Sequence, residues 1–334
     1  PLVVIVALVV AGAVLAAAGV DPLAYYSYVL QRGLFSAVGI QQTLTRMAPL
    51  LFIAAGLIIA FRAGIWNLGT DGQFLLGAVT AAASAPVLAG IMPVWLALVI
   101  SFILSGTVAV IWSLLPALLR AYQGVNEIIT TLMLNYVAIY WNNFWIFDRW
   151  SDAGFQMTPA FERNAWLPRL SDLARQFPVF SGITLHLGVV FGLLAAAVVW
   201  WVLQRSRWGY EIRLIGDNPN AARYAGINIA RNIILVMMFS GALAGLAGFM
   251  FLARFGNITV VAAQGLELQV VAAVVVGGVN IFGGSGTMVG ALLGAVMIDT
   301  LEQSLIRWLQ ISEFWRDALL GLSLIHISEP TRPY

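Results

Sequence analysis

The chain is 334 residues long, 61% hydrophobic and 10% charged, with a mean hydropathy of +0.90. Soluble domains carry about 25% charged residues, so this composition cannot build a water-facing surface, and a soluble enzyme, a disordered tail protein and a nucleic-acid binder are excluded. The formal net charge is +2, the 17 basic residues are all arginines scattered between apolar runs, and Cys is 0, which removes disulfides, thiol catalysis and cysteine-ligated metals. An integral membrane protein is what remains.

A helix crosses the hydrocarbon layer with about 20 apolar residues. Stretches free of Asp, Glu, Lys and Arg run over 1–20, 72–119, 176–204, 232–253 and 268–298. The second and last hold two crossings each if Ile91-Met92-Pro93 and the Gly277 to Gly286 region divide them. Helices are therefore predicted over 1–19, 47–62, 73–91, 94–119, 128–147, 183–203, 232–253, 268–282 and 287–305. A further span begins near Asp317. Pro1 opens inside an apolar run with no small-residue cleavage site after it, which predicts a truncated first helix rather than a signal peptide; the last span is predicted to be truncated too. Leu322 to Arg332 reads LSLIHISEPTR and resembles translated sequencing-adapter read-through, so 322–334, with His326, is expected to be a non-native tail. The expected fold is all-α: one polytopic transmembrane helix bundle over 1–321, with about ten spans and no soluble domain.

Arg62, Arg120 and the group Arg205, Arg207, Arg213, Arg223 and Arg231 fall on one side in this count, which predicts that side to be cytoplasmic. The opposite side receives 20–46 and an external loop, 148–182. In that loop Asp148, Asp152, Glu162 and Asp172 balance Arg149, Arg163, Arg169 and Arg175. Trp145, Trp150 and Trp166 suggest an interfacial belt there.

The cytoplasmic segment 206–228 carries its own local code. Asn218 before Pro219 has the form of an N-cap with proline at N1. Ala221 and Ala222 favour helix, and Gly226 suits a left-handed stop. A helix of about two turns is predicted, too short to be stable without a packing partner. An ordinary loop with a surface helix is the plainer alternative.

Two glycine-rich breaks interrupt the apolar pattern. In 61–77, Gly64, Gly69 and Gly72 loosen the helix while Asn67, Thr70, Asp71 and Gln73 bring polar groups to membrane level. Irregular backbone at that depth is tolerated only inside protein or beside water, and broken helices are where transporters bind solute. The second break, 277–286, contains Asn280. Tight turns with small-residue helix packing are the alternative for both. Glu127 after Asn126 reads either as a capped first turn or as a pathway group, and Asn135 as an inter-helix hydrogen bond. Asn142 and Asn143 fit an outer hydrated interface. Asp299, Glu302 and Gln303 share one helix face and suit a structural or partner-docking role. His186 stands alone at a helix start with no second metal ligand near it in sequence.

The 206–228 pattern resembles the coupling segment of bacterial ABC importer permeases of the ribose, simple-sugar and branched-chain amino-acid group. Gly209, Gly216, Asn218, Pro219, Ala221, Ala222, Gly226 and Ile227 match that family's pattern. Residues 61–77 together with 126–136 look like the permeases that accompany nucleoside-binding lipoproteins, and 265–278 resembles the matching segment of the wider sugar group. The resemblance covers nearly all of 20–320. It implies a type II importer-like permease subunit of the bacterial inner membrane, moving a nucleoside or simple sugar. It further implies a cytoplasmic ABC ATPase that binds ATP and magnesium and docks on 206–228, a second permease (identical or related), and an extracytoplasmic solute-binding protein or lipoprotein. Asn67, Asp71, Gln73, Glu127 and Asn280 are the candidate solute-path residues. The chain has no Lys and hence no GxxxxGK[ST] phosphate loop, so no cofactor is expected in it. Branched-chain amino-acid import, ion-coupled secondary transport through Asp71 or Glu127, and an intramembrane enzyme are the rival readings.

Overall fold

A backbone in hydrocarbon must satisfy its own N–H and C=O groups, and uncharged apolar runs therefore close into helices. A computed structural model of the chain describes residues 9, 12, 13, 15, 16, 19–31, 35–151, 154–161, 167–281, 283 and 286–309. Among them the regular elements are helical, and strand-type pairing is confined to two isolated bridges, Met157 with Thr259 and Arg169 with His186. The helices are α1 (Pro22–Val29), α2 (Ala37–Arg62), α3 (Thr70–Ala89), α4 (Val94–Gln123) and α5 (Glu127–Phe144). They continue with α6 (Leu187–Arg205), α7 (Arg207–Asp217), α8 (Pro219–Tyr224), α9 (Ile229–Phe255), α10 (Leu266–Val276) and α11 (Met288–Leu309). The predicted first span over 1–19, the span from Asp317, the tail 322–334, and Asp152, Glu162, Arg163 and Trp166 lie at or beyond the edge of the described residues or outside them altogether.

Five described helices, α2, α3, α4, α6 and α9, are long and apolar enough to cross a membrane. The fold is a membrane helix bundle. Boundaries differ from the sequence expectation where local capping chemistry outweighs hydropathy. α2 starts at Ala37 because Ser36 accepts the Gly39 N–H (2.9 Å), so polar Gln41, Gln42 and Thr45 become helical. Asp21 caps the short α1 in the same way. α4 runs on to Gln123 and stops at Gly124, whose φ of 68° is left-handed. The expected helix 268–282 ends at Val276; its 11 residues reach only about 16 Å, half the hydrocarbon layer.

α2 is buried on every side from Met47 to Arg62. α9 packs against α2, α3 and α4. That packing is close because small residues face one another: a Cβ on Gly77 would stand 2.1 Å from the Gly245 carbonyl oxygen, and one on Gly248 would stand 2.0 Å from that of Phe74. With no hydrophobic force between helices in lipid, such backbone approach is what holds them. Ile103, Ile111 and Leu115 of α4 and Met133 and Val137 of α5 point outward, as a hydrocarbon solvent requires.

Candidate functional site

The site is built from two places where the chain stops being helical inside the bundle. After α2 the backbone turns at Ala63 and Gly64 and runs irregularly from Ile65 to Leu68 before α3 begins. Asn67 is fully buried, and its amide donates to Gln73 Oε1 (3.0 Å) and to Ser240 Oγ of α9 (2.8 Å); Gln73 Nε2 donates back to Asn67 Oδ1 (3.1 Å). Ser240 is eleven residues into α9, about 16 Å from its start. The break therefore climbs back into the bundle, and its first polar cluster satisfies itself.

The second interruption is not where the glycines are densest. After α9 ends at Gly256, residues 257–265 descend irregularly from the end where Thr158 pairs with Ile258 (2.9 Å). α10 then starts at mid-depth behind Gly265, with φ of 73°. The described residues 277–281, 283 and 286 instead lie between α10 and α11, at the same end as Arg62, whose guanidinium donates to the Gly286 carbonyl. Gly277 and Gly290 bring the two helices into backbone contact across the α10–α11 turn.

The two interruptions meet. Asn135 of α5, about 12 Å along the helix from Glu127, donates to the Leu68 carbonyl (2.8 Å) and to the Glu267 carboxylate, and accepts the Gly72 N–H (2.9 Å). The Asp71 carboxylate accepts from the Glu267 backbone N–H, and the Glu267 carboxylate is near enough to act on it electrostatically. Asp71 is 5% exposed, and its Oδ1 is buried without a hydrogen-bond partner. Of the predicted path residues, the fold thus brings together Asn67 and Gln73 in one cluster and places Asp71 in an adjoining one. Glu127 sits at the arginine-rich end as the first residue of α5, which Asn126 caps through the Ile128 N–H, and it is ion-paired with Arg120 (3.1 Å) and accepts the Trp66 N–H (3.4 Å). Asn280 is exposed in the α10–α11 turn, away from the mid-depth cluster. Glu267 and Ser240 were not singled out from the sequence. Glu267 had a signal, being the one acid between Asp217 and Asp299; Ser240 had none.

Other polar residues have structural partners. Asn142 is buried and donates to the Thr259 carbonyl (3.4 Å), which ties α5 to the descending segment instead of to an outer hydrated interface. His186 caps α6 by accepting the Gly188 N–H (3.1 Å), and burial pushes its imidazole down to about 4, so it is neutral at physiological pH. Asp299 is buried near Arg254; the Glu302 and Gln303 side chains lie outside the described ones. Among the described residues there is no group of three or more His, Cys, Asp or Glu placed to hold a metal ion.

At the arginine-rich end, 206–228 folds as two helices. Ser206 caps α7 by accepting the Gly209 N–H (2.9 Å), and Gly209 lets α7 lie on the Val202 and Leu203 backbone of α6. Trp208 Nε1 donates to Asn232 Oδ1 (2.9 Å) and Asn232 Nδ2 to Glu211 Oε2 (3.1 Å), which fastens α7 to α9. Asn218 caps α8 as its sequence predicts, accepting the Asn220 and Ala221 N–H groups (3.0 Å each), and Gly226 ends it at φ of 79°. Ala222 is buried, whereas Pro219, Ala221 and Tyr224 are exposed. Gly216 at the end of α7 lies beside the first break and beside the α10–α11 turn: a Cβ on Gly64 would stand 3.8 Å from its Cα, and one on Gly283 would stand 2.7 Å from its carbonyl oxygen.

A membrane bundle with half-crossing segments meeting at mid-depth, joined at one end to a fastened loop carrying an exposed capped helix, is the architecture of a transport component. Residues 39–328 match the family model described as branched-chain amino acid transport system / permease component, and the chain belongs to that family. It is 31% identical to the guanosine ABC transporter permease protein NupP of Bacillus subtilis, over 90% of this chain and 84% of that protein. It is 29% identical to the nucleoside ABC transporter permease protein NupB of Lactococcus lactis, over 90% and 82%, and 28% identical to the glucose ABC transporter permease protein TsgB13 of Haloferax volcanii, over 96% and 89%. No solved structure matches the chain significantly. The chain is an ABC permease subunit, a transport component and not an enzyme.

Proposed function

We propose that this chain conducts a nucleoside or simple sugar through the bacterial inner membrane as the permease of an ATP-driven importer. The observation that carries the reading is the exposed, doubly capped α8 on a loop fastened beside the first break and the α10–α11 turn, in a chain similar along most of its length to permeases named for guanosine, nucleoside and glucose. In this reading a cytoplasmic ATPase docks on α8 through Pro219, Ala221 and Tyr224, and ATP and magnesium are bound there and not in this chain. A second permease lies alongside, and an extracytoplasmic solute-binding protein or lipoprotein delivers solute to the opposite face. Residues 1–321 act as one permease domain. ATPase closure moves α7 and, through Gly216, the segments at Gly64 and Gly283, parting the mid-depth junction. Asn67, Asp71 and Gln73 border the path there, with Glu127 and Asn280 at its cytoplasmic mouth. Neutral amides suit hydroxyl-rich solutes, which present both donors and acceptors.

The test is uptake into proteoliposomes. Vesicles holding the permease with its ATPase and binding protein are expected to accumulate labelled guanosine or glucose only when ATP is present. Accumulation by this chain alone, driven by a proton or sodium gradient, would overturn the proposal.

A further inference from the structure

Asp71 and Glu267 are each the second residue of a helix that begins inside the bundle, α3 at Thr70 and α10 at Leu266. A helix N-terminus carries about half a positive charge. Two ionised carboxylates against two such ends leave the junction with about one uncompensated negative charge, in a place where Asp71 is 5% exposed. No described ion pair involves either residue.

The neighbours do not supply the missing positive charge. From α5, Asn135 spends both amide hydrogens on the Leu68 carbonyl and Glu267, and Thr131 donates to the Glu127 carbonyl (2.7 Å). From α9, Ser240 accepts from Asn67. From α4, Ser105 donates to the Gly77 carbonyl (2.9 Å) and Ser113 to that of Ala109 (2.7 Å). The nearest charged ends of the packed helices are engaged elsewhere: Arg120 with Glu127, Arg62 with Gly286, and Asp299 of α11 beside Arg254. Asp71 Oδ1 remains buried with no partner.

A buried, unpaired charge beside a like charge is costly, and the group neutralises instead. Hard metal cations take about six oxygen ligands, and no third carboxylate is placed here among the described residues. We propose that Asp71 and Glu267 bind a single proton between them, one as carboxylic acid and the other as carboxylate, forming a proton site that closes the junction of the two broken segments. With the proton in place the N-termini of α3 and α10 stay together. Without it the two carboxylates repel, so the proton is released as the junction opens to water. Proton release on opening rests on the import reading; the proton site itself belongs to the closed permease and supplies no driving force.

The experiment is infrared spectroscopy of the full chain in lipid nanodiscs at pH 7, following the C=O stretch of protonated carboxyl groups. Wild type is expected to show such a band, shifted in D2O and unchanged when choline replaces sodium. Asp71→Asn and Glu267→Gln are each expected to lose it, because either leaves one carboxylate balanced by two helix ends; Glu127→Gln is expected to keep it. Absence of the band in wild type, its survival in both variants, or its appearance only when sodium is removed would overturn the proposal. Should a variant fail to fold, the wild-type spectrum with and without sodium still decides.

Discussion

Glycine carries much of the specificity of this bundle, through the volume it lacks. On α9 the hydrogen of Gly248 faces the Phe74 carbonyl, and a methyl group there would meet backbone 2.0 Å away, which cannot rotate aside. Overpacking of this kind typically costs about 1–3 kcal/mol. Gly248→Ala is therefore expected to lower the thermal unfolding midpoint of the detergent-solubilised protein clearly. Gly90→Ala, where the nearest atoms stand at 3.4 and 3.8 Å, should leave the midpoint unchanged. Equal effects would remove the argument for close α3–α9 approach. Among polar residues the division is similarly sharp. Asn67 and Gln73 satisfy one another, whereas Asp71 is left with an unpaired oxygen, and that difference is invisible in a list of polar residues at membrane level.

At the scale of elements, α8 shows how far local chemistry reaches. Asn218, Pro219 and Gly226 specify its two ends, because capping involves groups two or three residues apart. Which alanine faces outward is a different matter. Ala221 and Ala222 look equivalent in sequence, yet Ala222 is buried beneath the helix and Ala221 is exposed. Ala221→Trp is expected to abolish co-purification of the ATPase while leaving membrane insertion and solubilised yield intact. Ala222→Trp should reduce yield itself. An undiminished complex with Ala221→Trp would remove α8 from the ATPase interface. α10 makes the complementary point: its hydropathy suits a membrane span over 268–282, but Gly265 and the turn after Val276 confine it to half the depth.

Across the whole molecule, the loop, the first break and the α10–α11 turn converge on Gly216. Its backbone stands beside Gly64 and Gly283, 152 and 67 residues away along the chain respectively. Couplings between sites are typically about 1–3 kcal/mol, or about 5–150-fold. Gly216→Val is expected to retain ATPase binding and ATP hydrolysis while cutting solute uptake by about tenfold, measured side by side in the same proteoliposomes. Parallel loss of hydrolysis and uptake would mean that α7 serves assembly and not transmission.

Composition alone determined the membrane environment and the helical class, because a chain with 10% charged residues has no other way to meet water and lipid. Local spacing determined the caps at Asn126 and Asn218, since their partners lie within three residues. The first break was legible too, from polar residues inside an apolar run. The tertiary structure decided what no local rule reaches: that the second mid-depth interruption precedes α10 instead of following it, and that Glu267 meets Asp71 and Asn135 from distant parts of the chain. The register of one helix against another is set by which small residues let backbones touch, and that is a property of pairs of surfaces, written in neither strand of sequence by itself.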